Sequence, residues 1–310
     1  MSKNAIIFPG QGAQQVGMCK DVYETSEAAR EVFARANDIL GADLANMVLN
    51  GPAEKLDTTQ WSQPAIFVTS VAVWHALKAA GIADELSAGA MAGLSLGEYT
   101  ALHLAGWISF DDGLRLVAER GRLMQAAAEA SVGGMVSIMG ADEETTNRIC
   151  ADAAQGETLA PANFNCPGQI VISGSKSACE RALKVAENHG ARAVPLNVAG
   201  AFHSALMGPA VEGLWKTLQN TKITPGQIPV VANVSAGYYD GPESVRVSLR
   251  EQVAKPIRWQ ASIERLIADG YDRFAEVGPG RVLTGLMRKI NRSVTATNYS
   301  SAASMERVSA

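Results

Sequence analysis

A serine flanked at a distance of two by glycine on both sides commits a chain to a narrow set of local paths, and residues 93–97 read Gly93-Leu94-Ser95-Leu96-Gly97. This is the spacing of a nucleophile elbow, a strained turn between a strand and a helix that lifts a serine clear of an α/β sheet. The glycines are needed because the turn brings backbone segments closer than a Cβ allows and can demand a positive φ. The flanks agree: residues 88–92 read as a short buried strand, and residues 98–105 have helical composition with neither Pro nor Gly. A tight turn carrying an inert serine is the alternative, and the strand–turn–helix context disfavours it.

A serine hydroxyl is a poor nucleophile until a base takes its proton. The chain offers four histidines. His103 follows Ser95 on the same predicted helix, about 12 Å further along its axis at 1.5 Å per residue, so it points away from the turn. His75 lies in the apolar helical run Val71-Ala72-Val73-Trp74-His75-Ala76-Leu77, where a structural role fits. His189 precedes Gly190 at a helix end, a place for a cation that complements the helix dipole. His203 remains, in the loop Gly200-Ala201-Phe202-His203-Ser204 after a predicted strand, and loops at strand ends commonly carry catalytic groups.

The middle of the chain has its own order. Strands are expected at 135–139, 159–164, 170–173 and 192–198, with helices at 142–154 and 176–188. The sequence βαββαβ is the ferredoxin-like motif. The expected fold is therefore α/β, a hydrolase-like core with a parallel sheet over residues 1–130 and 199–310, interrupted by a small α+β domain over 131–198. The glycine turn at Gly10-Gln11-Gly12 does not read as a nucleotide loop, because Gln15 stands where a dinucleotide fingerprint needs glycine and no Walker lysine follows. A net charge of −4 gives no basic field for nucleic acid, and no apolar run approaches a membrane span. Cys19, Cys150, Cys166 and Cys179 are scattered without a C-x-x-C pair and are expected to be reduced. The tail from Ser300 onward is small and polar and is expected to be disordered.

Six motifs occur together: Phe8-Pro9-Gly10-Gln11-Gly12-Ala13-Gln14, the Gly-Leu-Ser-Leu-Gly-Glu elbow, Arg120-Gly121, Asn165-Cys166-Pro167-Gly168-Gln169, Ala201-Phe202-His203-Ser204 and Glu276-Val277-Gly278-Pro279-Gly280. Their order resembles that of acyl-carrier-protein S-malonyltransferases over residues 3–292. One position departs: members commonly have histidine where this chain has Leu94, which bears on polarity near the acyl group and not on the base. The resemblance implies Ser95 as nucleophile, His203 as base, and the backbone amides of Gln11 and Leu96 as an oxyanion hole. It implies that Arg120, on a helix over 111–129 capped by Ser109 and Asp112, pairs with the malonyl carboxylate. It further implies that the Gln252 carbonyl orients His203, and that Gln63, Asn165 and Asn233 contact substrate.

The implied reaction is ping-pong transfer of malonyl from malonyl-CoA to the phosphopantetheine thiol of acyl carrier protein, with no cofactor or metal, in fatty acid or polyketide synthesis. A serine hydrolase would use the same elbow, and a binding module could keep the fold; Arg120 and the Glu276 motif favour the transferase, and intact Ser95 and His203 favour an enzyme. Arg281, Arg288, Lys289 and Arg292 cluster near the end of the chain. Arg288 and Lys289 read equally as a solvated helix end or as a docking face for acidic carrier protein. A cytoplasmic monomer is expected, with an organelle open if a transit peptide has been removed.

Overall fold

Residues 5–8 carry alternating side chains into two separate apolar clusters, and this requires a sheet covered on both faces. The computed structural model describes residues 2–306 and places them in β1 (Lys3–Phe8), where Ala5, Ile6, Ile7 and Phe8 are wholly buried. Ile6 and Phe8 pack with Ile66, Phe67 and Leu102, whereas Ala5 and Ile7 pack with Trp259, Ile263 and Phe274 on the opposite face. Each of these larger side chains contributes about 1.5 to 3 kcal/mol on burial.

The elements that position the site follow in chain order: α1 (Thr59–Ala79), β2 (Ala88–Gly93), α2 (Gly97–Leu104), α3 (Phe110–Glu129), β3 (Gly133–Met139), α4 (Glu143–Ala154), β4 (Leu159–Cys166), β5 (Gln169–Ser175), α5 (Lys176–Asn188), β6 (Arg192–Pro195), α6 (Pro242–Gln252), β7 (Tyr271–Val277), α7 (Val282–Ile290) and β8 (Thr295–Tyr299). The first sheet has the order β2-β1-β7-β8, and every pairing is parallel. α1 is apolar around most of its circumference because it is sandwiched between this sheet and its neighbours; fifteen of its residues are buried.

The second sheet has the order β4-β5-β3-β6 with antiparallel pairings. α4 and α5 cover one face through Val136, Ile138, Ile149, Ile172 and Ala182, while Met135, Ala162 and Val171 on the other face join the main core. Its edge is tied to the larger unit where Ile257 donates to the Ala162 carbonyl and accepts from Phe164, both at 2.8 Å.

Two expectations are corrected. The strand expected to reach 198 ends at Pro195; the Leu196 amide makes a last bond to the Met135 carbonyl at 3.0 Å, and the chain then turns away from β3 as the Val198 amide donates back to the Leu196 carbonyl at 3.1 Å. The tail expected to be disordered from Ser300 forms a helix at Ala302–Glu306, anchored by the Ala302 amide on Asp21 at 2.7 Å; residues 307–310 lie outside the described residues. The four cysteines are unpaired, three buried and Cys19 half-buried. Among the described residues no helix is long and apolar enough to cross a membrane.

Candidate active site

β2 ends at Gly93 and α2 begins at Gly97, so Ser95 lies on the turn between them, with φ of 52°. A Cβ on Gly93 would come within 1.9 Å of the Gly97 carbonyl carbon, and one on Gly97 within 2.1 Å of the Phe8 oxygen. No side chain fits at either place. A left-handed serine costs on the order of 1 to 3 kcal/mol and persists only where its surroundings hold it. Here Asn233 holds it: Oδ1 accepts from the Ser95 amide and Nδ2 donates to the Gly93 carbonyl, both at 2.7 Å. Gln252 Nε2 donates to the Ser95 carbonyl at 2.9 Å.

His203, also left-handed with φ of 57°, reaches the serine from the loop after β6. Its Nε2 lies 2.9 Å from Ser95 Oγ and its Nδ1 lies 2.7 Å from the Gln252 carbonyl oxygen. A carbonyl only accepts, so Nδ1 carries the proton and Nε2 is left to accept from the serine hydroxyl. Burial pushes the imidazole down to about 3, helped by the positive charge of Arg120 and opposed by the carbonyl. The dyad therefore rests with a neutral base.

Arg120 completes the cluster from α3 and is 1% exposed. Nη1 donates to Gln63 Oε1 at 2.7 Å, and Nη2 donates to Ser95 Oγ at 3.0 Å and to Gln252 Oε1 at 2.9 Å. Its guanidinium carbon lies 5.3 Å from the Tyr99 ring centre. Nε is buried with no partner among the described residues. The neighbouring arginines differ: Arg115 is exposed, and Arg122 pairs with Glu119 at the surface. The result is a serine oxygen held between a neutral imidazole and a fixed cation.

The glycine turn after β1 backs onto the Ser95 turn, since a Cβ on Gly10 would meet the Leu94 oxygen at 2.3 Å. Neither the Gln11 nor the Leu96 amide has a protein acceptor among the described residues. The Gln11 side chain donates to Thr59 Oγ1 at 3.4 Å. Leu94, half-buried, packs its side chain against the apolar cluster beneath the sheet.

Residues 5–308 match the family described as Acyl transferase domain. The chain is 43% identical over 294 residues to the malonyl CoA-acyl carrier protein transacylase of Bacillus subtilis, covering 94% of this chain and 92% of that one. The chain belongs to the malonyl CoA-acyl carrier protein transacylase family. Its fold is likewise similar to a crystal structure of an acyl carrier protein S-malonyltransferase from Vibrio cholerae, at TM-score 0.94 and 42% identity, covering 99% of this chain and 100% of that one. It is also similar to a malonyl-transacylase solved in complex with its type II PKS acyl-carrier protein, at TM-score 0.93 and 41% identity, with 98% of each chain covered.

Within this transacylase, the remaining residues singled out in the sequence separate into groups. Gln63 and Gln252 sit against Arg120. Asn233, expected to contact substrate, has both ends of its carboxamide on the backbone of the Ser95 turn, so the structure shows it positioning that turn. Asn165 is half-buried at the β4 irregularity between Phe164 and Cys166 and makes no side-chain hydrogen bond among the described residues; the structure does not join it to the dyad. Arg288 and Lys289 are exposed on α7, where Lys289 Nζ reaches Gln169 at 3.1 Å and Arg288 helps line a surface groove of about 890 Å³ with Arg273 and Arg281. Glu276 has a local task, its carboxylate accepting from the Leu283 and Thr284 amides at 2.9 and 2.8 Å at the start of α7. Among the described residues no group of three His, Cys, Asp or Glu is placed to hold a metal ion.

Sequence reasoning missed Glu98. It is 1% exposed and accepts from Tyr239 Oη at 2.5 Å, from the Asn233 amide at 3.0 Å and from Gln252 Nε2. A signal was present, since Glu98 is the single acid in the otherwise neutral stretch that forms α2.

Proposed function

We propose that this chain transfers the malonyl group of malonyl-CoA to the phosphopantetheine thiol of acyl carrier protein through a malonyl ester on Ser95, supplying fatty acid or polyketide synthesis. The observation that carries this reading is Ser95 Oγ held at 2.9 Å from His203 Nε2 and 3.0 Å from Arg120 Nη2. The strand–Ser95–helix turn is read as a nucleophile elbow on a hydrolase-like core formed by residues 1–130 and 199–310. Residues 131–198, with their βαββαβ order, are read as an inserted ferredoxin-like domain.

His203 takes the Ser95 proton as the oxygen attacks the thioester carbonyl, and the oxyanion is received by the Gln11 and Leu96 amides. Collapse of the tetrahedral species expels the coenzyme A thiol, which leaves with the proton from His203. The carrier thiol then attacks the malonyl-serine ester, and the same steps run in reverse. Arg120 grips the distal carboxylate throughout; a planar guanidinium suits that geometry, and its present contact with Ser95 Oγ places it one short acyl chain from the reacting carbon. Gln63 and Gln252 hold its other face. The reaction as written needs no cofactor, because the coenzyme A thioester is itself a substrate. Arg288 and Lys289 are proposed to receive the acidic carrier protein, and a cytoplasmic monomer is the working form proposed.

The test is intact-protein mass after exposure to malonyl-CoA. One malonyl group is expected on Ser95, absent from Ser95→Ala, and it should pass to carrier protein faster than to water. An adduct retained in Ser95→Ala moves the nucleophile elsewhere, and faster loss to water than to carrier makes the protein a hydrolase.

A further inference from the structure

Gln252 does two separate things at the site. Its main-chain carbonyl holds His203, and its side chain stands between two buried charges, with Oε1 taking Arg120 Nη2 at 2.9 Å and Nε2 donating to Glu98 Oε2 and, at 2.9 Å, to the Ser95 carbonyl. A carboxamide is nearly symmetric in shape, so its orientation is decided by the hydrogen-bond partners at its two ends. Arg120 can only donate and a carboxylate can only accept, so both ends select the same orientation. A flipped amide would put its NH₂ against the guanidinium and its oxygen against the carboxylate.

We propose that Glu98 is a positioning residue for substrate selectivity: its carboxylate fixes the Gln252 side chain in the one orientation that gives Arg120 an acceptor, and thereby aims the guanidinium at the acyl group. This rests on the reading that Arg120 recognises the malonyl carboxylate. Every protein partner of Glu98 is a donor, namely Tyr239 Oη, the Asn233 amide and Gln252 Nε2. That environment suits an ionised carboxylate and leaves no acceptor for a carboxyl proton. Among the described residues no cation touches Glu98 directly; Arg120 acts on it across the amide. A buried carboxylate is costly unless donors satisfy it, and here two of the three donor residues, Asn233 and Gln252, also hold Ser95 or Arg120.

Because His203 hangs on the Gln252 main chain and Arg120 on its side chain, loss of the Glu98 acceptor should strike malonyl recognition harder than acylation as such. Glu98→Gln keeps the shape and removes the charge. Its kcat/KM for malonyl-CoA should fall about tenfold or more, the scale of one charged hydrogen bond, with a smaller fall for acetyl-CoA, so that the malonyl-to-acetyl ratio drops. A purely structural role would lower both substrates together. Tyr239→Phe, which removes one donor and leaves the carboxylate, should keep the ratio.

The wild-type protein supplies a second readout that needs no variant. Burial pushes the Glu98 carboxyl up to about 7, against the pull of Tyr239, Asn233, Gln252 and the Arg120 charge. Of the other titratable groups facing it, Tyr99 and Tyr239 are pushed upward, Arg120 is lowered by burial from its usual high value, and His203 lies down at about 3. The malonyl-to-acetyl ratio of kcat/KM should therefore fall as pH drops through about 7, a limb that Glu98→Gln should lack. A ratio that stays flat in the wild type, or a Glu98→Gln enzyme with wild-type ratio and limb, overturns the inference. If the wild-type protein forms no malonyl-Ser95, the functional reading itself fails; if it forms one and Glu98→Gln matches it in selectivity, this inference alone fails.

Discussion

Replacing Arg120 by alanine tests the proposal that substrate choice depends on this group. In the free protein the guanidinium donates to acceptors on Gln63, Ser95 and Gln252, and in the acylation transition state one edge of it would turn to the malonyl carboxylate. Losing a charge-assisted contact of this kind costs about 1.5 to 3 kcal/mol, or roughly 10- to 160-fold in kcat/KM for malonyl-CoA. If the carboxylate is still forced into the buried pocket without its partner, the cost rises to about 3 to 5 kcal/mol. Acetyl-CoA presents no carboxylate, so its kcat/KM should hold or improve. Improvement has a second source, because the Arg120 charge helps depress His203, and its removal lets the base strengthen. The assay is single-turnover acylation with each thioester across a concentration series, expressed as a ratio of kcat/KM. A thermal melt runs beside it, since Gln63 Oε1 and Gln252 Oε1 lose their donor and each orphaned acceptor costs about 1 to 3 kcal/mol of stability. Arg120→Lys should recover part of the stability but little of the selectivity, because an ammonium cannot bridge Gln63 and Gln252 while presenting a planar fork. Equal falls for both substrates in a folded protein would refute the reasoning.

His203→Ala should slow Ser95 acylation by about 100-fold or more, measured by the rate of adduct appearance; a larger effect from His103→Ala, whose Nδ1 is engaged with the Ile108 carbonyl at 3.0 Å, would displace His203 as base. Because the folded imidazole is pushed down to about 3 from its ordinary 6.5, the unfolded chain takes up the proton first, and this residue's contribution to stability is lost as pH falls from about 6.5 toward 3. Glu98 acts with the opposite sign, its contribution being lost as pH rises through about 7, so urea midpoints of wild type and His203→Ala across pH 4 to 7 should converge toward the acid side; parallel curves would contradict the burial of a neutral imidazole. Arg288→Glu with Lys289→Glu should weaken transfer to carrier protein and its salt dependence while changing acylation by malonyl-CoA less; equal loss in both half-reactions would mean that α7 is only a solvated surface.

What could be read from the sequence was what is encoded locally. The turn over residues 93–97 is a five-residue constraint whose sterics lie in Gly93 and Gly97 themselves, and βαββαβ follows from periodicities within short windows. His203 was reachable by elimination because only four histidines compete; helical spacing sets Arg120 on the buried stripe with Leu116, Val117 and Met124 and leaves Arg115 and Arg122 off it, but its proposed part in substrate choice needed the family resemblance. The supports behind them were hidden for a physical reason. Asn233 meets the Ser95 amide across 138 residues of chain, and Gln252 meets the Ser95 carbonyl across 157; neither leaves a spacing to detect. Amide side chains are also ordinary surface residues by composition, so their role emerges only when burial removes water and makes each unpaired end costly. Glu98 is the exception that sequence could have raised, because a lone acid in a helix start bound for the core must be either paired or functional. Its chain neighbours could not tell which, for its partners come from residues 233, 239 and 252. The fold supplies them by returning the last third of the chain to the edge of β2, where the Val231 amide donates to the Met91 carbonyl at 3.0 Å. That return places Asn233 and Gln252, which position the serine, on a different segment from the serine itself, so the proposed selectivity role of Gln252 can be tested without altering the turn over residues 93–97.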